Sequence, residues 1–357
     1  MSDSTAVTDT TLSSPGHLRM SLAAAMTLGW APGLFYRDAR LYCINLLLTY
    51  PEGCRARCAY CGLAAGRREC ADGGRSFIRV QWPAFPLEDI VQRIAARRER
   101  IRRVCISMVT RRRAVADTAA VCRRLRAAVD LPVSLLITPT VLRPGDLEAL
   151  RAAGADKVGV AVDLATPALF DRYRGGGVAG PHRWEVYWEC YGRAIEVFGR
   201  GQAGVHLIVG MGETEQEMCA ANQRAHDMGG GTHLFSFFPE PGSPLQGHPR
   251  PAMSRYRRVQ LARYLIDRGV ARAERLAFGP GGRITAFGVP PAELEAVVGS
   301  GEPFRTSGCT GADGEVACNR PFANSRPGPH LRNYPFPPTA EDLRRIRLQL
   351  APPGGRP

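Results

Sequence analysis

No stretch of this 357-residue chain is long and apolar enough to cross a bilayer as a helix. The one apolar run near the N-terminus, Met20 to Phe35, is short and broken by glycine and proline. It follows a polar stretch without a basic cluster, so it reads as neither a span nor a signal peptide. Gly-x-Ser-x-Gly and His-Glu-x-x-His are both missing, which removes support for the common serine-hydrolase and zinc-protease chemistries. Aromatic residues make up 8% and are not interleaved with basic ones, so nucleic acid is not the expected partner. Acid is in short supply: 33 Asp and Glu face 47 Lys and Arg, for a net charge of +14. That balance has two readings, a solvated arginine-rich face or a surface for an acidic partner such as a carrier protein.

What is present is an alternation. Residues 1–16 are rich in Ser, Thr and Asp and are expected to be disordered. Strand patterns follow at Leu41–Tyr50, Val104–Val109, Val133–Ile137, Lys157–Val162, Val205–Val209 and Leu234–Phe238. Helical patterns fall at Pro86–Ile101, Ala116–Val129, Pro144–Ala153, Trp184–Phe198, Glu213–Met228 and Ser254–Arg268. Six strands, each followed by a helix, predict an α/β fold with a parallel sheet. A partial (β/α)6 TIM-type barrel and an open doubly wound sheet both have this alternation. The expected organisation is an N-terminal tail and short helix (1–34), the barrel (35–270) and a C-terminal extension (271–357). The extension is rich in Gly, Pro and Asn and ends in a basic helix at Ala340–Leu350.

The most informative segment follows the first strand. Gly53-Cys-Arg-Ala-Arg-Cys-Ala-Tyr-Cys-Gly62 places Cys54, Cys58 and Cys61 at C-x3-C-x2-C spacing. Three thiolates can hold three irons of a 4Fe–4S cube, leaving the fourth iron open for chemistry. The alternative is a structural zinc site with Cys70 as fourth ligand, but no second C-x2-C knuckle accompanies it. In a (β/α) barrel the loops after the strands form the active site, and this loop is the first of them.

The segment resembles the radical S-adenosylmethionine (SAM) superfamily, which tips the fold towards its partial barrel. The resemblance implies that SAM binds the open iron and is cleaved to a 5′-deoxyadenosyl radical that abstracts hydrogen from an unactivated C–H bond. It places Tyr60 beside the cluster and puts Gly210, Gly212 and Glu213, in Gly204-Val-His-Leu-Ile-Val-Gly-Met-Gly-Glu-Thr214, against SAM. Family members often carry Gly-Gly-Glu after the second strand. Here the place reads Ser107-Met-Val-Thr110, so Ser107 stands where the SAM amino group is met. Asp163 ends the fourth strand and serves either a ligand or the helix opening at Thr166-Pro167.

Narrower likenesses lie in Phe237-Phe-Pro-Glu-Pro-Gly-Ser-Pro-Leu245, Asp156-Lys-Val-Gly-Val-Ala-Val-Asp163, Gly180-Pro-His-Arg-Trp-Glu185 and Cys318-Asn-Arg-Pro-Phe322. Together they are similar to the biotin synthase and lipoyl synthase group, most of all the two-component archaeal-type lipoyl synthases. This likeness implies sulfur insertion into a protein-bound octanoyl chain, with sulfur from a second iron–sulfur cluster that is consumed. It also implies a lipoyl carrier domain, a second radical SAM subunit and an electron donor of ferredoxin or flavodoxin type as partners. A biotin-synthase-like enzyme, maturase or methylase acting on a small molecule is the alternative.

Candidates for the second cluster are Cys309 and Cys318 in the extension and Cys43 in the first strand, the last of which also suits a buried core thiol. Cys105, Cys122, Cys190 and Cys219 fall within strand or helix patterns and read as structural. His206 reads as a hydrogen-bonded barrel histidine. His182 suits substrate contact or helix packing. Thiolate clusters need a reducing compartment, so the expected location is the cytoplasm.

Overall fold

The computed structural model describes residues 12–67, 76–77, 80–320 and 331–351. Residues 1–11, Cys70 and the Pro321-Phe322 end of the Cys318 stretch lie outside them. Ser14, within the expected disordered tail, is instead buried and pairs with Thr49 through its backbone and hydroxyl.

The sheet begins with β1 (His17–Met20), β2 (Cys43–Leu48) and β3 (Ala84–Pro86). It continues through β4 (Arg103–Ser107), β5 (Val133–Ile137), β6 (Lys157–Asp163), β7 (Ala203–Val209) and β8 (Gly231–Ser236). The spatial order is β8-β7-β6-β5-β4-β2-β1-β3. All neighbours from β2 to β8 are parallel, while β1 runs antiparallel to both β2 and β3. Among the described residues the sheet does not close, and β8 and β3 are its edges. The fold is α/β with a parallel sheet of the partial-barrel kind. The short strands β1 and β3 are absent from the sequence reading, because each is too short to show a two-residue period.

Every residue of β2 and β4 is buried, which is why they read as unbroken apolar runs. Successive side chains still alternate between the barrel interior and the helix layer. Cys43, Asn45 and Leu47 face inwards on β2. Cys105 and Ser107 do so on β4, where Asn45 stands opposite Cys105 and Leu47 opposite Ser107.

The helices carry local stop and start signals. The Thr166 hydroxyl accepts from Leu169 N and starts a helix at Pro167–Arg174, so Asp163 is not its cap. A reciprocal Thr214–Glu217 capping box starts the helix Glu215–Met228. The helix Met253–Asp267 carries a second apolar core, in which Leu265 and Ile266 meet Ile284, Phe304, Tyr334 and Ile346 of the C-terminal segment. Buried Glu215 accepts from Arg258 Nε at 2.9 Å and from Ile284 N at 2.8 Å, tying this segment to the barrel helices. Among the described residues no helix is long and apolar enough to cross a membrane.

Candidate active site

The chain leaves β2 through Tyr50 and turns at Gly53, whose φ of 65° is costly for a residue with a Cβ. Arg111 donates to the carbonyls of Glu52 and Gly53 and fixes this turn. The loop then folds on itself, with Cys61 N donating to Cys58 O at 3.1 Å. Backbone N–H groups point at the sulfurs: Ala56 and Thr110 donate to Cys54 Sγ at 3.4 Å each, and Leu63 donates to Cys61 Sγ at 3.4 Å. Such donors favour thiolate over thiol. Burial pushes the Cys58 and Cys61 thiols up, so their anions need positive partners. Donor set and surroundings therefore fit a cluster of irons. Among the described residues no three His, Cys, Asp or Glu side chains close on one point as a single metal ion requires. A cube takes one thiolate per iron, and its ligands stand apart.

The three cysteines open onto a cavity of about 190 Å³ inside the barrel. Its wall is mainly apolar, built by Leu47, Leu136, Ala161, Ile208, Phe235 and Phe237. Ser107 and Thr110 also line it, so the stretch that replaces Gly-Gly-Glu does face the site. Phe238 and Glu240 of the proline-rich loop line it too, and Leu245 N donates to Ala59 O at 3.1 Å, packing that loop on the cysteine loop.

One wall is polar and locked. Tyr60 donates to Asp163 Oδ2 at 2.7 Å, and Arg174 Nη1 reaches the same oxygen at 2.9 Å. Arg174 Nη2 lies 3.2 Å from Tyr187 OH, which lies 2.9 Å from His182 Nδ1; Thr140 Oγ1 lies 2.6 Å from the same nitrogen. Asp163 sits at φ 67°, a region that L residues seldom occupy outside functional or turn positions. Both tyrosines are pushed up by burial and stay neutral. Tyr60 and Asp163, named separately in the sequence, thus form one unit with Arg174, which the sequence reading did not single out.

Gly210, Gly212 and Glu213 are placed differently. None lines the cavity. The Glu213 carboxylate turns back to accept from Gly210 N at 2.7 Å and Met211 N at 2.9 Å, and pairs with Arg255 at 2.9 Å. A Cβ on Gly210 would lie 2.6 Å from the Pro251 ring, so the turn packs against that proline.

His182 is buried as a neutral imidazole, its pKa pushed down to about 2 by burial and by the Arg174 charge. An unfolded histidine takes up its proton near pH 6.5, about four units earlier, so acid favours the unfolded chain. This contribution to stability is complete above about pH 6.5 and is lost progressively as pH falls. The urea midpoint is expected to drop more between about pH 7.5 and 5 in the native chain than in His182→Gln.

A second group of thiols lies deeper. Cys43, Cys105 and Cys318 pack together as a buried set, with Cys309 against them. The three residues expected from the sequence meet, and Cys105 joins them. All ten described cysteines are free thiols. Asn45 Nδ2 lies 3.7 Å from Cys43 Sγ and 3.6 Å from Cys318 Sγ; Arg320 Nε lies 3.3 Å from Cys318 Sγ and His233 Nε2 3.9 Å from Cys309 Sγ. The Cys43 hydrogen bond and the Arg320 charge pull Cys318 well below the ordinary thiol range, while burial pushes Cys105 up to about 12. Arg320 also lines the cavity, so it stands between the two groups of thiols. The signal for Cys105 was in the sequence: it lies two residues before Ser107, hence on the same strand face. His206 is buried on β7, its ring 4.9 Å from Phe235 and 5.2 Å from His233.

Residues 48–224 match the model of the radical SAM superfamily. No curated protein matches the chain by sequence. Among solved structures, the FeFe-hydrogenase maturase HydG from Carboxydothermus hydrogenoformans is 15% identical, with a TM-score of 0.51 over 80% of this chain and 71% of that one. A second HydG structure is 13% identical, with a TM-score of 0.49 over 68% of this chain and 57% of that one. The chain thus spans little more than half the length of one of these neighbours, and the likeness is one of fold. Cysteine spacing, the open parallel sheet and the match over 48–224 agree: this chain carries a domain of the radical SAM superfamily.

Proposed function

We propose that the chain is a radical SAM sulfurtransferase that inserts sulfur at unactivated C–H positions of a protein-bound octanoyl chain, as one component of a lipoyl synthase. The observation that carries this reading is the apolar cavity, lined both by the three motif cysteines and by Arg320, which is bonded to Cys318 of the second thiol group. An alkyl chain is favoured by such a wall at about 25 cal/mol per Å² of buried apolar surface. When bound, a 4Fe–4S cluster and SAM supply the 5′-deoxyadenosyl radical that removes hydrogen from such a chain.

This chain's residues do the rest. Cys54, Cys58 and Cys61 hold that cluster, and the Tyr60–Asp163–Arg174 unit stiffens the wall beside it. Leu136, Ile208 and Phe235 exclude water from the alkyl segment. Cys43, Cys309 and Cys318 hold the second cluster that serves as sulfur source.

The rim supports a protein substrate. Arg55, Arg57, Arg112, Arg143 and Arg183 are exposed on segments at the end of the barrel where the cysteine loop lies. A basic rim steers an acidic carrier domain and would make its capture sensitive to salt. The partners this reading requires are an octanoylated lipoyl carrier domain, a second radical SAM subunit and a ferredoxin- or flavodoxin-type electron donor, in a reducing cytoplasm. The test is anaerobic reconstitution followed by mass spectrometry of the octanoylated domain, with and without the second subunit. Added sulfur on the domain is the expected result. SAM cleavage that free small acids stimulate and the octanoylated domain does not would overturn the reading.

A further inference from the structure

We propose that Cys105 is the fourth thiolate of a four-cysteine iron–sulfur site on the barrel floor, built from two strands and a hairpin of the C-terminal segment. The inference rests on the reading that a second cluster binds here, and it changes what that site is: four thiolates form a complete ligand set, as both 2Fe–2S and 4Fe–4S clusters take.

Three independent features converge on it. The first is register. Asn45 stands opposite Cys105 on the neighbouring strand, so Cys43 and Cys105 are diagonal neighbours on the inward face. Cys105 packs in one buried set with Cys43 and Cys318.

The second is the hairpin. Ala317 N and Cys318 N both donate to the Cys309 carbonyl at 3.0 Å, and Thr310 bridges Val316. This closes the eight-residue gap between the two cysteines. Gly308 makes the approach possible, since a Cβ there would sit 1.9 Å from the Cys318 carbonyl oxygen. Arg103, beside β2 on β4, donates to Thr310 O at 2.6 Å and anchors the hairpin to the barrel.

The third is the polarity around the sulfurs. Asn45, Arg320 and His233 all place nitrogen against this set. Packing alone would fill a barrel floor with Leu, Ile and Val and leave no such donors there. Hydrogen bonds to sulfur are one of the means by which a protein tunes a cluster. The contrast within the chain is Cys122, fully buried on a helix and outside this set.

The experiment isolates the floor site by removing the other one. The full chain with Cys54→Ala, Cys58→Ala and Cys61→Ala is reconstituted anaerobically with iron and sulfide. Iron, sulfide and zinc are counted, and visible absorption, electron paramagnetic resonance and the rate of bleaching by a chelator are recorded. The expected parent holds about two or four irons with matching sulfide and no zinc. Adding Cys105→Ala is expected to speed bleaching at least about tenfold, the scale on which even supporting residues change metal affinity. Cys105→Ser, which nearly keeps the volume and hence the fold, is expected to shift the absorption and resonance spectra by exchanging a sulfur ligand for oxygen. Cys122→Ala should change neither. A parent without iron, or with zinc in its place, overturns the second-cluster reading and this proposal with it. A parent with iron whose spectra and bleaching are unmoved by either Cys105 substitution overturns the role of Cys105 alone and leaves that reading standing.

Discussion

Cys58→Ala is expected to abolish production of 5′-deoxyadenosine and to lower the iron content by about four atoms per chain. Cys58 is the most enclosed of the three motif cysteines, 7% exposed. It sits where the loop folds back, its carbonyl already engaged by Cys61 N. Water has little access to replace the missing sulfur. Loss of one thiolate leaves Cys54 and Cys61 with their backbone donors but without the third corner of the cradle. The effect is expected to be close to complete, while iron on the floor thiols persists. Nucleoside quantification and iron analysis on the same sample check both halves. A variant that keeps its full iron and still cleaves SAM would remove the ground for the cluster assignment.

The second large effect concerns stability. Arg174→Met is expected to destabilise the fold by about 3–5 kcal/mol, the range for breaking a buried ion pair from one side. The Arg174 side chain is 5% exposed and that of Asp163 14%. Arg174 Nη1 also donates to the Ala161 and Val162 carbonyls, so one guanidinium satisfies the end of β6 as well as the carboxylate. Methionine fills similar volume but donates nothing, leaving the half-buried Asp163 with Tyr60 as a donor. Asp163→Asn is expected to cost much less. Asparagine tolerates the left-handed backbone at this position, and Arg174 keeps its two carbonyls. Urea denaturation of the three proteins checks the ranking. Equal midpoints for the two variants would show that the pair is not the support of this wall.

Much of the fold was legible in the sequence because the inner strands are apolar throughout and the helices between them are amphipathic. Val133–Ile137 matches in both readings, and the strand at Lys157 runs one residue further, to Asp163. The motif cysteines were legible because their spacing is local. What lay hidden depends on contacts distant in sequence. The Tyr60–Asp163 bond spans 103 residues, and no period signals it. The helix Pro167–Arg174 is brief and only weakly patterned, and its Thr166 cap is its plainest mark. Glu213 was expected at SAM; no local pattern signals that its carboxylate accepts from the Gly210 and Met211 N–H groups of its own turn and pairs with Arg255. Cys105 was set aside as structural because it falls within a strand pattern, although its place two residues before Ser107 puts it on the same strand face.

The hairpin of Cys309 and Cys318 also bears on access to the cavity. It stoppers the strand-start end of the barrel, held by Arg103 at Thr310 and by Asn319, which donates to the Pro335 carbonyl at 3.1 Å. Among the described residues, the cavity is then reached past the cysteine loop that lines it. If the partner is the carrier domain proposed above, its seat over that entrance would hold the spent fragments behind it, and the pace of turnover would then follow its departure.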